Sequence, residues 1–392
     1  MIKPALLASI FIIACLTATS VFAASDEDVF KLAKDKYSSE ILDSYYSCED
    51  NAVITLDNQT ASLTTLKYFG TSITISLYQA PTEQTRASLC RALSVIQEYH
   101  YLASDYSTYP HVTNVKSVNE APGQSHDIDP QLTALIASAI DWHQQSRGRF
   151  NIALSPVIAL WRAQRFACEK QKDNCSTPDE MALKQASEHI DVDKIHLDRQ
   201  TNKIQLAEGM SIDLGGIAKG WMVEKLYDQL IRDGMSRFVI NAGGNIRHYG
   251  LHPSGRYFNI AIEDPICRQN HYRSPKCQSE QGRYHELIAG SDLTVVSSGN
   301  YLKYFMVDGK KYHHIIDPKT LYPETEGISV TVVLSDNQIY ADVISTMLFL
   351  MPVDEGLEYV NSQPWIEAIW YINAKGDKIR STGFNQYTGK WE

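Results

Sequence analysis

Several motifs of common nucleotide, hydrolase and metal sites are missing from this chain of 392 residues. It has no GxGxxG, which argues against a Rossmann dinucleotide site, and no GxxxxGK[ST] phosphate loop. It has no GxSxG turn of a serine hydrolase and neither a CxxC pair nor a histidine cluster that would hold zinc. No long apolar run follows the first residues, so no later transmembrane helix is predicted.

Basic residues are also fewer than acidic ones. The chain has 36 Lys and Arg residues against 46 Asp and Glu residues, for a formal net charge of −10 at pH 7. No basic face is implied, so nucleic acid is not predicted as a partner. The hydrophobic content of 44% and the charged content of 21% predict a folded chain with a sizeable core.

The first residues predict export. Residues 1–23 carry one early lysine, a long apolar stretch and then small residues, the pattern of a secretory signal peptide cleaved after Ala23. The segment ending at Cys15 also fits a lipoprotein processing site, so a lipid anchor on Cys15 is an alternative. Both interpretations predict a periplasmic protein. Residues 24–61 are polar and are predicted to form an N-terminal extension before a domain at 62–392.

Six cysteines remain after the signal, and an even number in an oxidising compartment predicts disulfides. The pairs Cys168–Cys175 and Cys267–Cys277 each bracket a short polar segment and are expected to be local disulfides, and Cys48–Cys90 is the remaining pair. The bracketed segments, near 163–190 and 264–285, are predicted to be insertions, and residues 163–190 are expected to be irregular.

Periodicity along the chain predicts both strands and helices. Thr65–Gln79 alternates as a strand does, residues 81–100 have helical spacing, and 194–206 suggests a hairpin. Asp129 can cap a helix that begins with Pro130. Two further expectations are a loop over 105–129 and a helix over 341–351. No repeat or linker divides the chain, which favours one large domain.

A glycine pair before a helix is the first candidate ligand site. In "SIDLGGIAKGWMVEKL", Gly215 and Gly216 precede an amphipathic run with Lys219 in its first turn. The glycines permit close backbone approach, and a helix N-terminus attracts phosphate. The alternative is a tight connection without a ligand. A second pair, Gly243 and Gly244, occurs in "NAGGN".

Two further groups could carry chemistry. Asp342 and Thr346 are spaced i, i+4 and therefore share a helix face. A carboxylate and a hydroxyl placed together suit a hard cation such as Mg²⁺. The alternative is a helix-capping Asp and an ordinary helical Thr, which would have the same spacing. His314 precedes a Pro turn and is either a general base or a structural residue. Since His313 and His314 alternate across a strand, at most one is expected to face a given pocket.

The order of these segments carries more information than any one of them. "DLGGIAKG", "NAGGN", "SSGNYLKYF", "HIIDPKT" and "ADVISTMLFLM" together resemble the FAD:protein FMN transferase family, also called the ApbE family, over roughly residues 62–372. The resemblance implies a single α+β domain with mixed or antiparallel sheets flanked by helices and an FAD pocket between subdomains. It also implies Mg²⁺-dependent transfer of FMN from FAD to a Thr or Ser hydroxyl of a protein, with release of AMP.

The same resemblance implies the residues of the site. His314 would be the general base, and Mg²⁺ would be held by the Asp342 and Thr346 side chains with backbone oxygens near Gly216 and Ser345. The implied FAD contacts are Phe69, Tyr109, Arg149, Phe150, Asn151, Asp213, Lys219 and Ile316.

The chain departs from the family pattern at several positions. Asn151, Asn245 and Asn300 stand where Asp is common, although Asp342 and His314 are intact. Three functions therefore stay open. The first is a transferase that acts on an exported or membrane-anchored acceptor protein, the second is an FAD pyrophosphatase, and the third is a non-catalytic periplasmic FAD-binding protein.

Overall fold

The computed structural model describes residues 48–170, 175–323 and 326–390. The predicted signal peptide, Cys15 and most of the predicted extension at 24–61 lie outside these residues. Within the described ranges, no helix is long and apolar enough to cross a membrane.

The described residues form sixteen strands. They are β1 (Val53–Leu56), β2 (Ala61–Thr65), β3 (Ile73–Leu77), β4 (Ser125–Asp127), β5 (Ile195–Asp198), β6 (Lys203–Leu206), β7 (Phe238–Ala242), β8 (Asn245–Tyr249), β9 (Phe258–Glu263), β10 (Tyr284–Gly290), β11 (Thr294–Gly299), β12 (Tyr304–Val307), β13 (Lys310–His313), β14 (Ser329–Leu334), β15 (Ile366–Tyr371) and β16 (Lys378–Arg380).

The strands pair into one large sheet and three small ones. The large sheet has the order β1-β2-β3-β7-β8-β11-β14-β15-β16, and every neighbouring pair in it is antiparallel. The small sheets are β9–β10, β12–β13 and β4-β6-β5. Strand β1 belongs to the described part of the predicted extension, so this part forms an edge of the large sheet.

Ten α-helices accompany the sheets in the described residues. They are α1 (Glu83–Ala103), α2 (Val115–Glu120), α3 (Pro130–Gln145), α4 (Ser155–Lys170), α5 (Glu180–Ser187), α6 (Ala218–Arg232), α7 (Pro265–Gln269), α8 (Glu280–Arg283), α9 (Ala341–Phe349) and α10 (Val353–Asn361).

The large sheet is covered on both faces. On β14, Val330 and Val332 pack into the main core, which also contains buried residues of α1, α6 and α9. Val333 points the other way, into a smaller core with Ile288 and Phe384. All six residues of β14 are buried, including the polar Ser329 and Thr331, as expected for a strand with both faces covered. A third apolar cluster joins α4 and α5 to the β12–β13 hairpin.

Several local predictions are confirmed. Helix α3 begins at Pro130, and the Asp129 side chain accepts a hydrogen bond from the backbone N–H of Gln131 at 2.8 Å. Strands β5 and β6 form the predicted hairpin, and α9 ends three residues before Pro352. The predicted architecture, one α+β domain with antiparallel sheets and flanking helices, is also confirmed.

The expectation of an irregular segment at 163–190 is wrong. Helix α4 continues to Lys170, and α5 follows, because Cys168 and Leu183 pack with Trp161 in the third apolar cluster. The predicted Cys168–Cys175 disulfide is not formed, since Cys168 is a buried free thiol.

The predicted loop at 105–129 also contains regular structure. Helix α2 is capped by the Asn114 side chain, which accepts a hydrogen bond from the N–H of Ser117 at 3.0 Å, and it buries Val115 and Val118. The short strand β4 pairs with β6, which is distant in sequence. Neither element has enough residues to produce a clear period in the sequence.

The other two predicted disulfides are confirmed. Cys48–Cys90 and Cys267–Cys277 span 42 and 10 residues. Chain-entropy estimates give about 4 and about 3 kcal/mol of stabilisation for loops of these lengths. We therefore expect dithiothreitol to lower the melting temperature of the wild-type protein, and we expect a smaller reductant effect in a Cys48→Ser/Cys90→Ser variant. An identical wild-type midpoint with and without reductant would contradict both estimates.

His248, on β8, makes the fold sensitive to acid. Its ring is fully buried, and burial together with neighbouring Arg247 lowers its pKa to about 4. Between about pH 6.5 and pH 4 the unfolded chain binds a proton at His248 that the folded protein does not bind. The contribution of a neutral His248 to the free energy of unfolding is therefore fully present above about pH 6.5 and is lost as the pH falls towards 4.

We expect a His248→Leu variant to lose less stability in acid. Urea unfolding at pH 7.5 and pH 5.0 should show a fall in the free energy of unfolding that is smaller by about 2 kcal/mol than in the wild-type protein. An equal fall in both proteins would show that His248 titrates normally in the folded state.

Candidate active site

A cavity of about 910 Å³ opens where the glycine turns, α4, α9 and the β12–β13 hairpin meet. This volume is at the upper end of the range for small-molecule sites. Of the site residues predicted from the sequence, all but Ser345 line the cavity: Phe69, Tyr109, Arg149, Phe150, Asn151, Asp213, Gly216, Lys219, His314, Ile316, Asp342 and Thr346. Their individual roles stay predictions.

The turn between β7 and β8 brings Asn245 to this cavity. Ala242 and Asn245 are paired, so Gly243 and Gly244 form a two-residue hairpin turn, with φ values of 60° and 96°. Two positive φ values favour glycine at both positions. A Cβ atom on Gly243 would also lie 2.1 Å from Thr71 Oγ1, so the turn requires glycine for space as well.

The other glycine pair allows a close approach of an aromatic ring. A Cβ atom on Gly216 would lie 3.0 Å from Cε2 of Phe150, so the ring would have to shift by a few tenths of an ångström to accommodate any other residue. Helix α6 begins at Ala218 and places Lys219 in its first turn, as predicted.

Asp342 is held by three groups from distant parts of the chain. Its Oδ2 accepts a hydrogen bond from the N–H of Gly220 at 2.6 Å, and its Oδ1 accepts one from Nδ2 of Asn245, also at 2.6 Å. Lys219 Nζ lies 3.5 Å from the same Oδ1 and 3.1 Å from the amide oxygen of Asn245. The carboxylate is 6% exposed and is fixed in one orientation. An Asn at position 245 donates to this carboxylate, as an ionised Asp could not.

The donors around Asp342 fit Mg²⁺ better than zinc. Asp342 and Thr346 offer carboxylate and hydroxyl oxygens on one turn of α9, and both residues line the cavity. Mg²⁺ prefers oxygen ligands and keeps several waters. In the described part of the chain, no group of three His, Cys, Asp or Glu residues could hold a metal ion.

Ser345 is the predicted site residue that does not reach the cavity. It is fully buried on α9, where its hydroxyl donates to the backbone oxygen of Asp342 at 3.0 Å and lies 2.8 Å from the hydroxyl of Ser298. Ser298 itself lines the cavity. The side chain of Ser345 thus ties α9 to β11.

The expectation that only one of His313 and His314 faces the pocket is wrong, because both line the cavity. Strand β13 ends at His313, so strict alternation does not extend to His314. His313 is buried against Phe349, and its Nδ1 accepts the N–H of Ile315 at 3.2 Å.

His314 is exposed to the cavity yet surrounded by protein. Burial is the main cause that lowers the pKa of His314 to about 3, and the positive charge of Lys303 is the second cause. A hydrogen bond with the backbone of Lys303 acts in the opposite direction, as expected for a ring N–H that donates to a carbonyl oxygen. The imidazole is therefore neutral near pH 7, with its second nitrogen left to accept a proton.

Sequence reasoning missed a charged group that faces the cavity from α4. Arg162 Nη1 lies 2.8 Å from Oδ2 of Asp105, and its Nη2 lies 2.9 Å from Oδ2 of Asp213. Burial and Asp105 raise the pKa of Asp213, and Arg162 opposes them. A signal was present, because Ile158, Arg162 and Arg165 continue one stripe of helical spacing, and all three line the cavity.

Lys303 is a second missed cation. Burial lowers the pKa of its ammonium group, and Arg165, Lys219 and Arg162 add to this effect. Arg165 and Lys219 lie close enough to perturb Lys303, and these three cations mark the part of the cavity that would bind a multiply charged anion such as a pyrophosphate.

Three other residues predicted to contact FAD interact with neighbouring protein groups. Arg149 forms an ion pair with Glu355 at 2.6 Å. Asn151 uses its amide within the protein, because its Oδ1 accepts the N–H of Ala153 and its Nδ2 donates to the carbonyl of Ile190. Ile316 is buried in the third apolar cluster.

Aromatic rings line another part of the cavity. His100 Nδ1 accepts the N–H of Phe69 at 3.3 Å, and His100 Nε2 lies 3.3 Å from the hydroxyl of Tyr109. The ring of Tyr101 lies 4.5 Å from that of Tyr109. Of these rings, those of Phe69, His100 and Tyr109 line the cavity and offer flat surfaces on which a heterocycle can stack.

Comparison with known proteins agrees with the geometry. The chain matches the ApbE family over residues 69–370. A protein of Haemophilus influenzae named FAD:protein FMN transferase is 30% identical over 59% of this chain and 63% of its own length. A Klebsiella pneumoniae protein of the same name is 27% identical over 80% of this chain and 89% of its own length.

Solved structures share the fold. The ApbE protein of Thermotoga maritima aligns with a TM-score of 0.69 at 23% identity, over 87% of this chain and all of its own. The flavin transferase ApbE of Vibrio cholerae aligns with a TM-score of 0.67 at 22% identity, over 84% of this chain and 99% of its own. With the family match covering most of its length, this chain belongs to the ApbE family.

Proposed function

We propose that this protein is a Mg²⁺-dependent FAD:protein FMN transferase that attaches FMN to a Thr or Ser hydroxyl of an acceptor protein and releases AMP. The observation that carries the proposal is the meeting of three groups in one cavity. These groups are the oxygen donors Asp342 and Thr346, the neutral imidazole of His314, and the cations Lys219 and Lys303. Curated relatives named for this activity support it.

FAD binding uses the parts of the cavity in different ways. The aromatic rings near Tyr109 suit stacking with a heterocycle of FAD. The cations Lys219 and Lys303 suit its pyrophosphate, which they attract and orient. This arrangement holds the reacting phosphorus near His314 before the acceptor arrives, and such positioning accounts for much of the catalysis of phosphoryl transfer.

In the chemical step the acceptor hydroxyl oxygen attacks the phosphorus of the FMN half of FAD. A new P–O bond forms, the P–O bond to the AMP half breaks, and AMP leaves with the bonding electron pair. The hydroxyl proton passes to the free ring nitrogen of His314, whose other nitrogen is held at the backbone of Lys303.

Asp342 and Thr346, together with backbone oxygens near Gly216 and Ser345, would hold Mg²⁺. When bound, the ion supplies charge neutralisation of the phosphoryl oxygens and stabilises the leaving phosphate. Lys219 already contacts Asp342, so the chain itself brings a positive charge to the same end of the cavity.

We also propose that the reaction takes place in the periplasm, on an exported or membrane-anchored acceptor. The predicted signal peptide supports this location. The disulfides Cys48–Cys90 and Cys267–Cys277 support it too, because such bonds persist in oxidising compartments.

The test uses purified mature protein, FAD, MgCl₂ and the flavin-carrying domain of an electron-transfer subunit. We expect flavin fluorescence on the acceptor band of a denaturing gel. The fluorescence should be lost with EDTA, and it should also be lost when the acceptor hydroxyl residue is replaced by alanine. Release of FMN and AMP without a labelled band would instead favour a pyrophosphatase. Bound FAD with neither product would favour a non-catalytic binder.

A further inference from the structure

Arg162 occupies a wall of the cavity and is fixed from three sides. Its two terminal nitrogens contact Asp105 and Asp213 at 2.8 and 2.9 Å. Its guanidinium carbon lies 4.5 Å from the ring centroid of Tyr106. The side chain is 22% exposed and lines the cavity. A charged group placed in this way is in position to organise the wall of a ligand site.

The partners of Arg162 come from separate parts of the chain. Asp105 follows α1, Arg162 lies in the middle of α4, and Asp213 lies just before the glycine turn that leads into α6. Asp213 is fixed at both oxygens, because its Oδ1 accepts the N–H of Gly215 at 2.6 Å while its Oδ2 contacts Arg162. Its carboxylate therefore cannot rotate, and it presents its remaining lone pairs in fixed directions.

The charge of this group indicates which part of FAD it can receive. Asp105 and Asp213 already engage both terminal nitrogens of Arg162 and offset its charge, so this group is a weaker site for a pyrophosphate than Lys219 and Lys303. Carboxylate lone pairs accept hydrogen bonds from N–H and O–H groups. The wall at Asp105 and Asp213 thus suits an uncharged part of FAD that carries such donors, such as a sugar hydroxyl or a ring N–H, while Lys219 and Lys303 suit the pyrophosphate.

We propose that Arg162 is a positioning residue for FAD, which holds the Asp213 carboxylate in the orientation that receives hydrogen-bond donors of the substrate. The proposal rests on the proposed function only in taking FAD as the ligand. Without Arg162, Asp105 and Asp213 would face each other without a cation between them, and the carboxylate of Asp213 would turn or take up a proton.

The first test measures FAD affinity, by flavin fluorescence, without any acceptor. We expect Arg162→Met to raise the Kd for FAD about tenfold or more, which is the usual effect of removing a charged hydrogen-bond partner. In the transfer assay, KM for FAD should rise in parallel with the Kd, while kcat at saturating FAD should change by less than about threefold, because Arg162 acts on the binding of FAD and takes no part in the chemical step. Arg162→Lys should recover part of the affinity.

A second variant separates positioning from general stability. Adding Asp105→Asn to Arg162→Met removes the repulsion on Asp213 and should restore part of the FAD affinity. The matched control is Arg199→Met, which breaks an Arg–Asp pair with Asp141 on the surface, away from the cavity. It should leave the Kd for FAD unchanged.

The outcomes distinguish this inference from the proposed function. A wild-type Kd in Arg162→Met, or no recovery in both Arg162→Lys and the double variant, would overturn the role of Arg162 alone. Normal FAD binding by the wild-type protein without transfer to any acceptor would overturn the proposed function alone. Failure of the wild-type protein to bind FAD would overturn both.

Discussion

Replacing Asp342 with asparagine should reduce FMN transfer by about 1000-fold, because losing the carboxylate proposed to hold Mg²⁺ would remove several kcal/mol of transition-state stabilisation. The amide is isosteric, and its oxygen can still accept the N–H of Gly220, so the fold of α9 should survive. The residual rate should no longer depend on MgCl₂. Initial rates of acceptor labelling across a MgCl₂ titration measure both effects.

Two variants on the same part of the chain serve as comparisons for Asp342. Thr346→Val removes only a neutral ligand and should weaken the response to Mg²⁺ less than the loss of the carboxylate. Asp336→Asn removes a carboxylate from an exposed position just before α9, where it accepts the N–H of Asn337, and should leave the rate unchanged. Wild-type activity and Mg²⁺ dependence in Asp342→Asn would show that this carboxylate does not hold the ion.

Features that depend on residues close in sequence could be predicted well. The cap at Asp129 and the shared face of Asp342 and Thr346 follow from helix geometry alone, and the structure shows both in place. The glycine turn could be recognised from two adjacent glycines before a helix. The neighbour that crowds Gly216, the ring of Phe150, lies 66 positions earlier in the chain and gave no local signal.

Features that depend on contacts between distant residues could not be predicted. Arg162 lies 57 residues from Asp105 and 51 from Asp213, and no local pattern pairs them. The resemblance named Asp213 without the partner that orients it. The absence of a Cys168–Cys175 bond has the same origin, since tertiary packing of α4 against α5 decides where Cys168 points.

Replacing His314 with alanine should abolish most of the transfer activity while FAD still binds. A positioned base contributes about 10²- to 10⁴-fold, and the labelling rate should fall by that amount. The Kd for FAD should change by less than about threefold, because the phosphate contacts proposed for Lys219 and Lys303 would remain. Loss of FAD binding in this variant would contradict the assignment of His314 as a base and show that it holds the substrate.

The pH dependence of transfer tests the same residue in the intact enzyme. With its pKa lowered to about 3, His314 is neutral in the free enzyme across pH 5–8, so kcat/KM should not show the tenfold loss per pH unit below about 6.5 that an ordinary histidine base would produce. Bound pyrophosphate favours the imidazolium and raises the pKa of His314, so any acidic limb should be stronger in kcat than in kcat/KM. A limb near pH 6.5 in kcat/KM would mean that burial and Lys303 do not keep His314 neutral.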